Sequence, residues 1–314
     1  MALIYFFAVL AVLVPVVLVP LAATRWAPAA AHGRIGGKLR DAANALVAIF
    51  GAKTAAVIVL LAGSAAVITI CWPLGEALSR LEPSVDVPVF EYIHARRHDT
   101  WAAINSFYTA IGDRDPLKVV SVAFAVVFAP FWKRRWWIPV VAMLGQYLLE
   151  QYTQQILATV VDRGHPPTDL GTYPSGGCAR VMLTFGTIFL LADLTWRIPR
   201  TGRVAMATVL ALGVSLEGYT RMYSEKHWLT DVIGGYVFGA LLIAAWAFAL
   251  WTLTGRTARP TPPAPTPTAG GQPYPGDRSQ PYPGRSTPYP GARSAAGEQP
   301  YPGWEPAAGG ARRP

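Results

Sequence analysis

Charge is scarce in this sequence. Asp, Glu, Lys and Arg make up 14% of its 314 residues, against 52% hydrophobic, and the mean hydropathy is +0.31. That balance excludes an ordinary soluble core and predicts an all-α fold, a polytopic transmembrane helical bundle. Lysine is rarer still, with five among the 27 basic residues and arginine supplying the rest. The basic residues cluster between apolar runs, where cytoplasmic loops carry them. The net charge of +9 therefore gives no reason to expect nucleic acid as a partner. Cysteine is limited to Cys71 and Cys178, which form no metal or redox motif. Two unpaired thiols are expected, with a disulfide as the alternative if both lie near the outer face. The five histidines show no ligand spacing, so neither a metal nor a cofactor is expected.

What is present is a regular alternation of apolar runs and basic markers. Residues 3–22 are apolar throughout. At about 1.5 Å per residue they reach the roughly 30 Å of a bilayer core. No basic segment precedes the run, which favours a retained span over a cleaved signal. Arg25, Arg34, Lys38 and Arg40 then mark an inner loop, and residues 39–50 are amphipathic enough to lie on the inner surface. Residues 1–30 are thus expected to form an extra N-terminal helix and 31–53 a basic interfacial segment. Residues 54–254 are expected to form a six-span domain, with spans near 54–74, 117–131, 140–159, 178–196, 204–219 and 231–253. Residues 75–115 mix charged and apolar positions and predict one or two short helices across the outer surface. Lys133-Arg134-Arg135 and Arg197, Arg200 and Arg203 fall on the inner side, so the loops after 159 and 219 face out. In the span near 140–159, Gln146, Glu150 and Gln154 recur every fourth residue and share one face. Such groups face the bundle interior, where Glu150 is either a functional acid or an interhelical hydrogen-bonding group.

Residues 255–314 differ in kind. From 258 onward there is no Val, Ile, Leu, Met or Phe, and Pro-Tyr-Pro-Gly recurs at 273–276, 281–284, 288–291 and 300–303. So little apolar surface predicts a disordered cytoplasmic tail of polyproline II character. Its repeats make it a candidate ligand for a cytoplasmic partner with an aromatic-lined groove.

Three outward stretches carry candidate chemistry. In Thr220–Asp231, His227 precedes Asp231 by four residues, a spacing that puts both on one face of a helix. A carboxylate there can accept the imidazole Nδ1–H and leave Nε2 as a nucleophile. Arg221 adds a planar fork of donors suited to phosphate oxygens. The same residues also fit the general gathering of His, Trp and charge at a membrane boundary. In Tyr173–Gly177, Ser175 is a good N-cap, and Gly176 and Gly177 leave the first amides uncovered for an anion. Asp162–Pro167 adds Arg163 and His165.

Over about residues 54–254 these stretches resemble the type 2 phosphatidic acid phosphatase superfamily of membrane lipid-phosphate phosphatases. Its signatures read Lys-x6-Arg-Pro, Pro-Ser-Gly-His and Ser-Arg-x5-His-x3-Asp. The third is nearly complete as Thr220-Arg221, His227 and Asp231. The resemblance implies that His227 attacks phosphorus, Asp231 orients it and Arg221 binds phosphate oxygens, with no metal. The second signature departs: Gly177 stands where the family has the histidine that protonates the leaving group. The first departs more, with His165 at the Arg position and Ala158 at the Lys position. His165 is a candidate substitute acid, and Arg163 or Arg180 a substitute for the lost charge. A pyrophosphate leaving group needs that proton less than an alkoxide does. The expectation is a cell-membrane, multi-pass phosphatase with its site outside, favouring isoprenoid pyrophosphates over phosphatidic acid. The alternative is an inactive member that binds or helps transport a lipid phosphate headgroup.

Overall fold

The computed structural model describes residues 34–168 and 170–255. The apolar run at 3–22 and the Pro-Tyr-Pro-Gly repeats lie outside the described residues. Eight α-helices follow one another, and among the described residues there is no strand. They are α1 (Arg34–Ser79), α2 (Val87–His94), α3 (Asp99–Thr109), α4 (Arg114–Phe128), α5 (Trp137–Val161), α6 (Gly176–Trp196), α7 (Arg200–Tyr223) and α8 (Leu229–Thr254). A π-helical turn, Glu82–Asp86, leads into α2, and a 3-10 segment, Ala129–Arg135, follows α4.

The 46 residues of α1 are interrupted at Gly51, whose φ of 76° and ψ of 161° only glycine adopts freely. The break falls between the amphipathic stretch and the apolar one. Among the described residues, four segments are long and apolar enough to cross a membrane: α1, Arg114–Arg135, α6 and α8. Helices α5 and α7, with 25 and 24 residues, match them in length but each carries a polar face. That face turns inward, as the cost of polar groups in hydrocarbon requires. Gln146 and Glu150 are fully buried, while Val119, Val126 and Val209 on outward faces are at least 60% exposed. The chain is a multi-pass membrane protein on these grounds.

Gln146 Nε2 donates to Ser121 Oγ on α4 (3.1 Å) and Thr184 Oγ1 on α6 (3.2 Å). Glu150 accepts from Arg180 Nε on α6 at 3.0 Å. Of the two roles open to Glu150 from sequence, it makes the interhelical bond, as one half of a buried ion pair. Helix α8 packs chiefly on α1 and α6. Small residues permit the approach: a Cβ on Gly63 would lie 2.8 Å from that of Ala245. Buried Tyr173 wedges between Gly75 and Gly234, and its hydroxyl donates to the Cys71 carbonyl at 3.0 Å. Cys71 and Cys178 are both buried and unpaired.

Alternation along the bundle brings the C-termini of α1, α5 and α7 and the N-termini of α4, α6 and α8 to one end. The loops at 110–113, 162–175 and 224–228 meet there, beside α2 and α3.

Candidate active site

His227 is not on a helix. Helix α8 begins after Trp228, its N-cap, and Asp231 caps it by accepting the Trp228 N–H at 3.1 Å. The expectation of one shared helical face is therefore corrected, yet the pairing survives. His227 Nδ1 lies 3.6 Å from Asp231 Oδ2, an ion-pair contact slightly longer than a hydrogen bond. His227 is only 8% exposed, and Nδ1 has no hydrogen-bond partner among the described residues. The backbone of Gly171 closes over it: a Cβ there would fall 2.8 Å from Nδ1 and 1.8 Å from the Lys226 carbonyl oxygen. Burial holds the imidazole below its usual pKa, against the opposing pull of Asp231, and the charges of Arg221 and Arg180 add to the lowering. The lowering favours the neutral imidazole, the form able to act as a nucleophile.

Arg163 braces Asp231. Its Nη1 lies 3.1 Å from Asp231 Oδ1, off line for a hydrogen bond, and donates to Thr230 Oγ1 at 2.6 Å. Its Nη2 donates to Asp86 Oδ2 at 2.8 Å and reaches Glu82 Oε2 at 3.3 Å. Burial opposes the charge of this guanidinium, but Asp231, Asp86 and Glu82 outweigh it and hold the pKa above the usual arginine value. Asp86 also accepts the Thr230 N–H at 2.9 Å and its hydroxyl at 2.6 Å. The π-helical turn thus clamps the start of α8 from outside. With its side chain 2% exposed, Arg163 sits among carboxylates and not at an open anion site.

The second stretch is tied to the third through the backbone, where the Ser175 N–H donates to the Asp231 carbonyl at 3.0 Å. Ser175 holds the N-cap position of α6, but its hydroxyl lies 3.5 Å from Cys178 Sγ and caps no amide. Gly176 and Gly177 are covered by arginines. A Cβ on Gly176 would meet Arg180 Nη2 at 2.7 Å, and one on Gly177 would meet Arg221 Nε at 2.4 Å. Arg180 Nη1 donates to the Gly112 carbonyl at 2.7 Å. Arg221 donates to Glu217 Oε1 (2.5 Å), the Thr109 carbonyl (3.0 Å) and Asp113 Oδ1 (2.8 Å). Lys226 Nζ stands 3.7 Å from Asp113 Oδ2.

His165 turns its Nδ1 to the Gly171 carbonyl, within its own loop. The 224–228 loop is held by Glu225, at a φ of 58°, which binds His94 at 2.7 Å and Arg97 at 2.8 Å. Sequence reasoning missed Asp86, Glu82, Asp113, Glu217 and Gly171. Glu217 alone had a signal, its position four residues before Arg221. Among the described residues no group of His, Cys, Asp and Glu is arranged to hold a metal ion.

The arrangement is a buried histidine backed by a carboxylate, with Arg221 and Arg180 close enough to act on its charge. It can offer a neutral nucleophile and positive charge to a phosphoryl group. Residues 154–255 match the family model described as the PAP2 superfamily. One solved structure that matches is the first transmembrane PAP2 type phosphatidylglycerolphosphate phosphatase from Bacillus subtilis. It is 18% identical with a TM-score of 0.44, over 62% of this chain and 93% of that one. No curated protein matches the sequence significantly.

Proposed function

From the match of residues 154–255 to the PAP2 superfamily model, we propose that the protein is an integral membrane lipid phosphate phosphatase acting through His227. The observation that carries this reading is the buried His227–Asp231 pairing, with Arg221 and Arg180 close enough to act on the ring. His227 Nε2, the ring nitrogen remote from Asp231, attacks the terminal phosphorus. The N–P bond forms as the bond to the bridging oxygen breaks, and the leaving oxygen keeps the electron pair. Asp231 stabilises the positive ring that results. Water then attacks the phosphohistidine, inorganic phosphate departs, and the imidazole returns to neutrality.

No histidine stands at Gly177 to protonate the leaving oxygen, and general acid catalysis is typically worth roughly 10²–10⁴-fold. A departing phosphate needs that proton least. The preferred substrate class is therefore an isoprenoid pyrophosphate, presented on the outer face by the positive-inside reading of the loops. Arg163 acts as a positioning residue for Asp231, while Arg221 and Arg180 meet the phosphate oxygens. Phosphohistidine trapping on His227 with a labelled polyprenyl pyrophosphate is the expected result, lost in His227→Ala. Equal turnover of phosphatidic acid and the pyrophosphate would overturn the preference.

A second reading has its own observation. Each of the three arginines meets at least one carboxylate, and Arg221 fills the space a side chain at 177 would need. That suits a protein that binds or helps transport a lipid phosphate headgroup without hydrolysing it. Retained pyrophosphate binding with no trapped phosphohistidine would select it. Deleting 258–314 tests the tail: unchanged turnover with altered localisation marks a cytoplasmic partner.

A further inference from the structure

Two rows of side chains face each other across α6 and α7. On α6, Gly177, Val181, Phe185 and Phe189 recur every fourth residue. On α7, Val209, Gly213, Glu217 and Arg221 do the same in the opposite direction. At one end the rows touch, through Gly177 and Arg221. Away from that end they part around an apolar cavity of about 260 Å³ that both rows line.

The polar side chains of the cavity wall are Tyr108, Glu217 and Thr220, and the last two are satisfied within α7. Glu217 accepts from Arg221, and the Thr220 hydroxyl donates to the Glu217 carbonyl at 2.8 Å. Everything farther down is hydrocarbon: Val181, Phe185 and Phe189 on one side, Val209 and Leu216 on the other. Gly213 leaves the floor open, because a Cβ there would meet nothing within 4 Å. Val209 and Leu216 are 60% and 49% exposed, so the groove opens sideways along the outer surface of the bundle. From residue 177 to 189 the helix rises about 18 Å, more than half the hydrocarbon thickness of a bilayer.

We propose that this groove seats one hydrocarbon chain of the lipid whose phosphate head lies at Arg221 and His227. This inference rests on the phosphate-site reading above and adds where the chain lies and what limits it. A lipid entering sideways places its tail between α6 and α7 and brings its charged head to the end where the arginines are. The other phosphate-site neighbours lead nowhere comparable: Arg163 is enclosed by carboxylates and Arg180 by Glu150 and the Gly112 carbonyl. Gly213 then sets how much chain the slot accepts, because a large side chain there would fill it.

The test uses the full chain in nanodiscs and two photoreactive probes, a diazirine-tailed prenyl pyrophosphate and the alcohol of the same chain. The pyrophosphate probe should label α6 and α7 peptides around Phe185 and Leu216. Labelling should fall roughly ten-fold or more in Gly213→Phe, as for a filled apolar pocket, and in Val209→Trp at the exposed rim. Turnover of a short-chain, water-soluble phosphate should be unchanged in both variants. Labelling elsewhere, labelling insensitive to both substitutions, or equal labelling by the alcohol overturns the proposal. Groove labelling intact in a wild-type protein that hydrolyses nothing and traps no phosphohistidine would instead remove the catalytic reading and leave the groove standing.

Discussion

Gly177 lies under the guanidinium of Arg221, so close that a Cβ would sit 2.4 Å from Nε and 2.6 Å from Cζ. The related signature has histidine at this position, and here the space belongs to an arginine. Arg221 is itself pinned by Glu217, Asp113 and the Thr109 carbonyl, so it cannot yield cheaply.

Gly177→Ala is accordingly expected to cost roughly 1–3 kcal/mol, the usual range for overpacking a filled interior. A thermal denaturation midpoint in detergent measures it. A midpoint equal to that of the wild type would mean that Arg221 moves aside freely.

Glu217→Gln weakens the hold on Arg221 and frees its charge for an anion. Inorganic pyrophosphate should then bind roughly five-fold more tightly, equivalent to about 1 kcal/mol. Arg221→Ala should weaken it. Titration calorimetry on the two variants distinguishes a phosphate-binding arginine from a purely structural one, for which neither change would alter binding.

Asp86→Ala removes the main partner of Arg163 and the acceptor of the Thr230 N–H. Breaking a buried pair typically costs roughly 3–5 kcal/mol. The variant should be strongly destabilised, and Asp86→Asn, which keeps the acceptor for Thr230, less so. Denaturant midpoints for the pair check the order.

The pH dependence follows from His227. Its pKa is held below the ordinary histidine value of about 6.5 by burial first, with Arg221 and Arg180 adding to it. A group depressed in the fold favours the folded state when neutral. That contribution is full above the unfolded value and is lost as pH falls through it toward the folded one. Activity should therefore persist below pH about 6.5 and fail only at lower pH. A pH–rate profile for the pyrophosphate substrate measures the acid limb. An acid limb at or above the ordinary value would contradict a buried neutral nucleophile.

The sequence by itself determined the helical bundle, the break near Gly51, the inward face of α5 and the gathering of Arg221, His227 and Asp231. Each rests on periodicity or spacing within one stretch of chain, and local geometry is what local sequence encodes. Even there the tertiary structure changed a detail: Asp231 is engaged as the cap of α8, which leaves His227 in the loop before it. What only the fold decided is which charge meets which. Arg163 and Arg221 look alike as basic residues beside a phosphate-type signature. One is clamped by Asp86, 77 residues away, and the other by Glu217 and Asp113, with Gly177 beneath it. Helix packing chooses those partners, because a buried guanidinium must find a carboxylate wherever the bundle brings one within reach.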